Sequence, residues 1–126
     1  MRLPNLPTPR QKLGKTGEDL ALSYLQRHGF SIVERNFKIH YGELDIVCFK
    51  DNTLVIVEVK TRIGNSYGTP EESVTLRKLK EVIKTAEFFK SQHPELPESM
   101  RIDIVGIVLN IDHSVRTINH TVNVTG

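Results

Sequence analysis

One cysteine in 126 residues leaves no internal disulfide framework, and a lone thiol fits a reducing cytoplasm, the compartment expected for this chain. No apolar run approaches the roughly 18 residues of a membrane-spanning helix, so no membrane partner is expected. The opening stretch MRLPNLPTPRQKLGK carries basic residues without an apolar core segment and does not read as a secretory signal. Five histidines (His28, His40, His93, His113 and His120) lack zinc-ligand spacing. There is no glycine-rich phosphate loop, no Ser/His or Cys/His nucleophile signature, no internal repeat and no low-complexity tract. Neither sign of charge dominates, and a net charge of +2 permits a nucleic-acid partner without demanding one.

What is present is patterning. The length suits one compact domain. Residues 1–14, rich in proline and basic side chains, read as an irregular arm, with a single domain over 15–126. Thr16 is suited to cap a helix whose first turn holds Glu18 and Asp19, and His28-Gly29 would end it. A strand is expected over about 31–39, then a hairpin over 41–62, then the turn-rich GNSYGTPEES. A long amphipathic helix is expected over 71–92, stopped by Pro94 and Pro97. The nearly continuous apolar run from Met100 to Leu109 predicts a central strand buried on both sides. A weakly alternating edge strand follows over about 115–124. The order α-β-β-β-α-β-β predicts a small α/β fold, a five-stranded sheet flanked by helices.

The hairpin YGELDIVCFKDNTLVIVEVKTR is the most informative segment. Asp51-Asn52 is a plausible two-residue loop. With Lys50 facing Thr53, counting back along both strands sets Asp45 opposite Glu58 and Glu43 opposite Lys60. Opposed side chains share a face, with Cβ atoms roughly 4.5–5.5 Å apart. The other face carries Leu44, Ile46, Cys48, Val55, Val57 and Val59, all apolar, and must be buried. Cys48 then needs no redox role. Two opposed carboxylates repel, and a divalent cation resolves the repulsion, because Mg²⁺ takes hard oxygen ligands, commonly one or two carboxylates. Lys60, on the same face as Glu58, could then neutralise a pentavalent phosphate or help deprotonate the attacking water. A solvated salt-bridge cluster, with Lys60 paired to Glu43 and Glu58, is the competing reading.

GEDLALSYL at 17–25, GELDIV at 42–47, VEVKTR at 57–62, YGTPEESV at 67–74 and RIDIVGI at 101–107 together resemble the bacterial YraN family. That group lies within the restriction-endonuclease-like, PD-(D/E)xK, superfamily and is related to archaeal-type Holliday junction resolvases. The resemblance spans nearly the whole chain beyond the arm. It implies a small mixed five-stranded restriction-endonuclease-like sheet. It implies a metal site of Asp45, Glu58 and the backbone carbonyl of Val59, taking Mg²⁺ or Mn²⁺. It also implies that Lys60 serves the attacking water, and that Glu18 is the helical acid acting directly or through water. Leu44 stands where restriction enzymes have proline, a departure that related resolvases tolerate. Read from the residues alone, Glu18 is a helix-N-terminal acid favoured by the dipole.

Secondary candidates are Arg62 for a phosphate, Lys78 facing the site from the second helix, and Tyr67 stacking on a base in a flexible Gly64–Gly68 loop. Arg77, Lys78, Lys80 and Lys84 read equally as only the wet face of that helix. Asp103 reads as a structural acid paired with Arg101 or Arg62, and Glu43 as the partner of Lys60. Three functions follow. The first is a metal-dependent endonuclease on DNA, branched or Holliday-junction DNA included, for which a two-fold homodimer would suit two scissile strands. The second is a non-catalytic nucleic-acid-binding module with the same fold. The third is a structural protein with a surface ion-pair network.

Overall fold

Thr8, Pro9 and Gln11 set the start of the first helix. In the computed structural model, which describes residues 5–64 and 69–125, helix α1 spans Pro9–Arg27. Thr8 Oγ1 accepts from the Gln11 amide at 3.1 Å, and Gln11 Oε1 accepts from the Thr8 amide at 2.9 Å. This reciprocal capping box, with proline at the first helical position, satisfies amides that a helix end leaves orphaned. The expected irregular arm over 1–14 is therefore corrected, because residues 9–14 are helical. Thr16 is interior, its hydroxyl donating to the Lys12 carbonyl. The helix ends at His28, followed by Gly29 at φ 85°, as the sequence suggests.

Strands β1 (Ser31–Ile39), β2 (Gly42–Lys50) and β3 (Thr53–Ile63) form an antiparallel meander. Asp51 and Asn52 both take positive φ (50° and 58°), which makes the two-residue loop that a right-handed hairpin twist favours. A short 3₁₀ turn at Glu71–Ser73 precedes helix α2 (Leu76–Ser91). The expected single helix from Glu71 is broken because Val74 is extended (φ −86°, ψ 110°). Thr75 caps the new start by accepting from the Lys78 amide. Strands β4 (Ser99–Leu109) and β5 (Val115–Thr121) complete a sheet ordered β1-β2-β3-β4-β5. β3 and β4 run parallel, a pairing that needs a crossover, and α2 supplies it.

The two helices cover opposite faces of the sheet. On the α1 side Ala21 and Leu25 pack with Ile46, Cys48, Val55, Val57, Val105 and Ile107. On the α2 side Val82, Ala86 and Phe89 pack with Leu44, Val47, Leu54, Ile56 and Ile102. β4 is buried on both faces from Ile102 to Ile107, and β5 is the edge. No described helix is long and apolar enough to cross a membrane.

One expectation about the hairpin changes here. α2 covers Val47, Leu54 and Ile56. Leu44 does not share a face with Ile46, because it packs on the α2 side. Asn36 takes a left-handed conformation (φ 53°) between the registered pairs Arg35↔Ile46 and Phe37↔Leu44. Both strands change face there: Arg35 reaches α1, whereas Phe37 joins the α2 cluster.

Helix α1 approaches β3 closely because residue 17 has no side chain; a Cβ there would collide with the Thr61 side chain. Gly17→Ala is expected to lose about 1–3 kcal/mol of stability. In the same helix Gly14→Ala, whose Cβ would meet no atom within 4 Å, is expected to gain about 0.5–1 kcal/mol. Urea unfolding of both variants checks the opposite signs.

Candidate active site

The β2–β3 ladder follows the expected register from Lys50↔Thr53 to Ile46↔Val57 and then stops. Beyond that point side chains replace the ladder. The Asp45 amide donates to Glu58 Oε2 at 3.3 Å, and the Val59 amide donates to Asp45 Oδ2 at 2.8 Å. Asp45 and Glu58 are neighbours, as the register implies, and each carboxylate holds the opposite strand's backbone. Asp45 Oδ1 and Glu58 Oε1 are left with no hydrogen bond to a described residue.

Both acids titrate high. Burial raises the Asp45 carboxyl to about 6, helped by the negative charges of Glu18 and Glu43 and opposed by the Val59 amide and Lys78. Glu58 is 2% exposed. Burial raises it to about 8, the Asp45 charge adds to this, and the Asp45 amide, Lys78 and Lys60 oppose it. No described cation makes an ion pair with either acid.

A cleft of about 620 Å³ opens beside them. Asp45, Glu43 and Glu18 line it, with Val59, Lys60, Thr61 and Arg62 from β3 and Arg10, Leu13 and Gly14 from α1. Glu18 is not in the first turn of its helix, so the dipole reading of that residue falls. Its carboxylate instead accepts from Arg35 at 3.2 Å. Glu43 pairs in register with Lys38 on β1, and the expected ion pair with Lys60 is absent among the described residues. Lys78 is half-buried, and its charge acts on both Asp45 and Glu58. Arg77, Lys80 and Lys84 are exposed, as a wet face would be. Tyr67 and Gly68 lie outside the described residues.

The oxygens of Asp45, Glu58 and the Val59 carbonyl form a donor set suited to a hard divalent cation. A buried Glu58 beside a half-buried Asp45 whose charge raises its proton affinity, with no described cation paired to either, fits such an ion. Among the described residues no three His, Cys, Asp or Glu side chains converge as a ready-made cage. Glu18 lines the same cleft, with its carboxylate engaged by Arg35.

Three features escape the sequence reading. Arg10 and Gly14 reach the cleft because the TPRQ capping box at 8–11 starts the helix early, which sets residues 10, 14 and 18 along one helix face. Glu71, in the YGTPEESV segment, seats its carboxylate on Gly106, which pairs with Lys60 across the parallel ladder. Its Oε1 is buried with no hydrogen-bond partner. His120 joins Asp103, on the side of the sheet facing α1. Asp103 is fully buried and bound by Arg101 (3.0 and 3.3 Å), His120 Nε2 (2.7 Å) and the Asn123 amide (2.9 Å). Burial pushes its carboxyl up, but His120, the Asn123 amide and Arg101 outweigh it and hold it below the ordinary value. Asp103 is thus the structural acid expected, with Arg101 as its partner.

A five-stranded mixed sheet between two helices, with an acid pair where the hairpin opens, is consistent with a small restriction-endonuclease-like fold. The chain belongs to the family described as "Uncharacterised protein family UPF0102", whose model matches residues 17–107, in agreement with the YraN resemblance. It is 42% identical over 113 residues to a UPF0102 protein of Syntrophomonas wolfei, covering 90% of this chain and 96% of that one. A UPF0102 protein of Persephonella marina is 43% identical over 97 residues, covering 77% and 84%. One from Clostridium beijerinckii is 41% identical over 109 residues, covering 86% and 88%.

The Asp45–Glu58 pair and Asp103 carry opposite predictions. Asp45 and Glu58 bind protons more tightly folded than unfolded, so the folded state holds the extra protons. The stability they contribute is present below the ordinary values of 3.8 and 4.5 and is lost as pH rises to about 8. Asp45→Asn is expected to flatten that decline and raise the melting temperature at pH near 8. Asp103→Ala removes a partner from buried donors and is expected to cost about 3–5 kcal/mol. Thermal melts across pH, with urea unfolding, separate the two.

Proposed function

We propose that this protein is a divalent-cation-dependent phosphodiesterase acting on DNA, branched DNA included. One observation carries the reading: Asp45 and Glu58 are held together without a paired cation, at a cleft that also holds Lys60. Asp45, Glu58 and the Val59 carbonyl would hold Mg²⁺ or Mn²⁺, which when bound supplies Lewis-acid charge neutralisation and activation of the nucleophile. Lys60 is the ammonium that stabilises charge gained on the phosphoryl oxygens and orients the incoming water. The water oxygen bonds to phosphorus and releases a proton to solvent, the P–O3′ bond breaks, and the 3′-oxygen takes a proton from solvent. Arg62 and Arg10 hold phosphates beside the scissile one. The Lys78 charge lowers the proton affinity of each acid, against the larger opposing effect of burial. A two-fold dimer is the assembly that two cuts in a branched substrate would use.

The Arg35–Glu18 ion pair favours a second reading. With the helical acid engaged, the protein would bind DNA without turnover.

Junction, flap, linear and single-stranded DNA incubated with Mg²⁺ or Mn²⁺ test the two. Cleavage is expected, falling about 10²–10³-fold in Asp45→Ala and in Lys60→Ala. Activity that survives both substitutions excludes this site, and binding with no cleavage under every metal selects the second reading. Millimolar Mn²⁺ is also expected to raise the melting temperature of the parent protein and leave that of Asp45→Ala unchanged.

A further inference from the structure

Four helical or strand glycines lie around this site, and three have a packing reason. A Cβ at Gly17 would collide with Thr61, at Gly42 with Thr85, and at Gly106 with Glu71. Gly14 has none: a Cβ there would meet nothing within 4 Å. A glycine inside a helix lowers stability relative to alanine, and here no atom of the described residues requires it.

Its position supplies a reason. The cleft beside Asp45 and a second cavity of about 540 Å³, lined by Gln11, Lys15, Arg35 and Asn36, both border Gly14, Glu18 and Glu43. Because they share these residues, the two cavities adjoin at Gly14. At the first end Arg10, Lys60 and Arg62 make no ion pair with a described residue. At the other end Lys15 stands 3.7 Å from Asp19, with 74% of its own side chain exposed, a contact too solvated to hold it. Available cations at both ends, with Glu18 and Glu43 at the shared middle, suit an extended polyanion that contacts the two ends rather than a single small anion.

We propose that one DNA strand crosses helix α1 at Gly14, its sugar-phosphate backbone lying against the bare Cα. Phosphates on one side are held by Arg10 and Arg62, and on the other by Lys15. The missing side chain lets the backbone come close enough for Lys60 to reach the phosphate between them. This path rests on the DNA reading of the site and makes Gly14 a binding determinant that charge counting alone would pass over.

The test is fluorescence anisotropy of the full chain with a labelled single-stranded oligodeoxynucleotide, without divalent cation so that no turnover intrudes. Gly14→Leu and Gly14→Glu are expected to raise Kd at least about tenfold while melting at or above the parent temperature, because each replaces a helical glycine. Arg10→Ala is expected to weaken binding and lower the salt slope by about one. Lys12→Ala removes the same charge from α1 outside the groove and is expected to change Kd less than Arg10→Ala. The proposal is overturned if folded Gly14→Leu and Gly14→Glu bind within about twofold of the parent, or if the parent binds no DNA. Intact, Gly14-sensitive binding with no cleavage under any metal removes the nuclease reading and leaves the groove. Cleavage with Gly14-insensitive binding removes the groove and leaves the nuclease reading.

Discussion

The exchange of hydrogen bonds between Asp45 and the 58–59 segment is the constraint on which the site depends. Where the β2–β3 ladder ends, the Asp45 amide turns to the Glu58 carboxylate and the Val59 amide to the Asp45 carboxylate. Buried amides need acceptors, and using side chains lets the two strands part without orphaning them. The same bonds fix both acids against the sheet, so their mutual repulsion is built into the fold. Burial raises the cost of charging them further. Asp103 is also an acid in the sheet, but Arg101, His120 and the Asn123 amide compensate it. The contrast lies in the partners and not in the depth of burial.

Close approach of the flanking elements shapes the space around that pair. α1 meets β3 at Gly17 and Thr61, α2 meets β2 at Gly42 and Thr85, and the 3₁₀ turn meets β4 at Gly106 and Glu71. Each contact replaces a side chain with backbone, so the elements converge at the open end of the hairpin. Glu18 and Lys78 are carried in with them, one from each helix. A sheet alone would leave the acids on an open face; the helices turn it into a walled cleft.

The hairpin was readable because alternation leaves one face wholly apolar, and a slip of one residue would have exposed it. Residues 46–57 follow that register. The same logic failed at Leu44, since strict alternation assumes an unbroken strand, and Asn36 in the left-handed region turns both β1 and β2 over. Asparagine tolerates that conformation, but nothing local demands it. The start of α1 was legible in the Thr8–Gln11 spacing and was obscured by the prolines around it. The Glu18–Arg35 pair and the Asp103–His120 bond join residues far apart in the chain, and no periodicity reports such contacts.

The parallel pairing of β3 with β4 has a kinetic consequence. Its eleven rungs, Thr53↔Ser99 through Ile63↔Leu109, each join residues 46 positions apart, whereas the rungs of the β2–β3 hairpin join near neighbours. Loop-closure entropy opposes the distant set until the intervening chain has ordered. The turn-proximal ribbon can therefore assemble from local contacts while the wall formed by β4 and the α2 crossover arrives late. Slow refolding phases should track the second half of the chain, and a nascent polypeptide will hold its acid pair before it has a cleft.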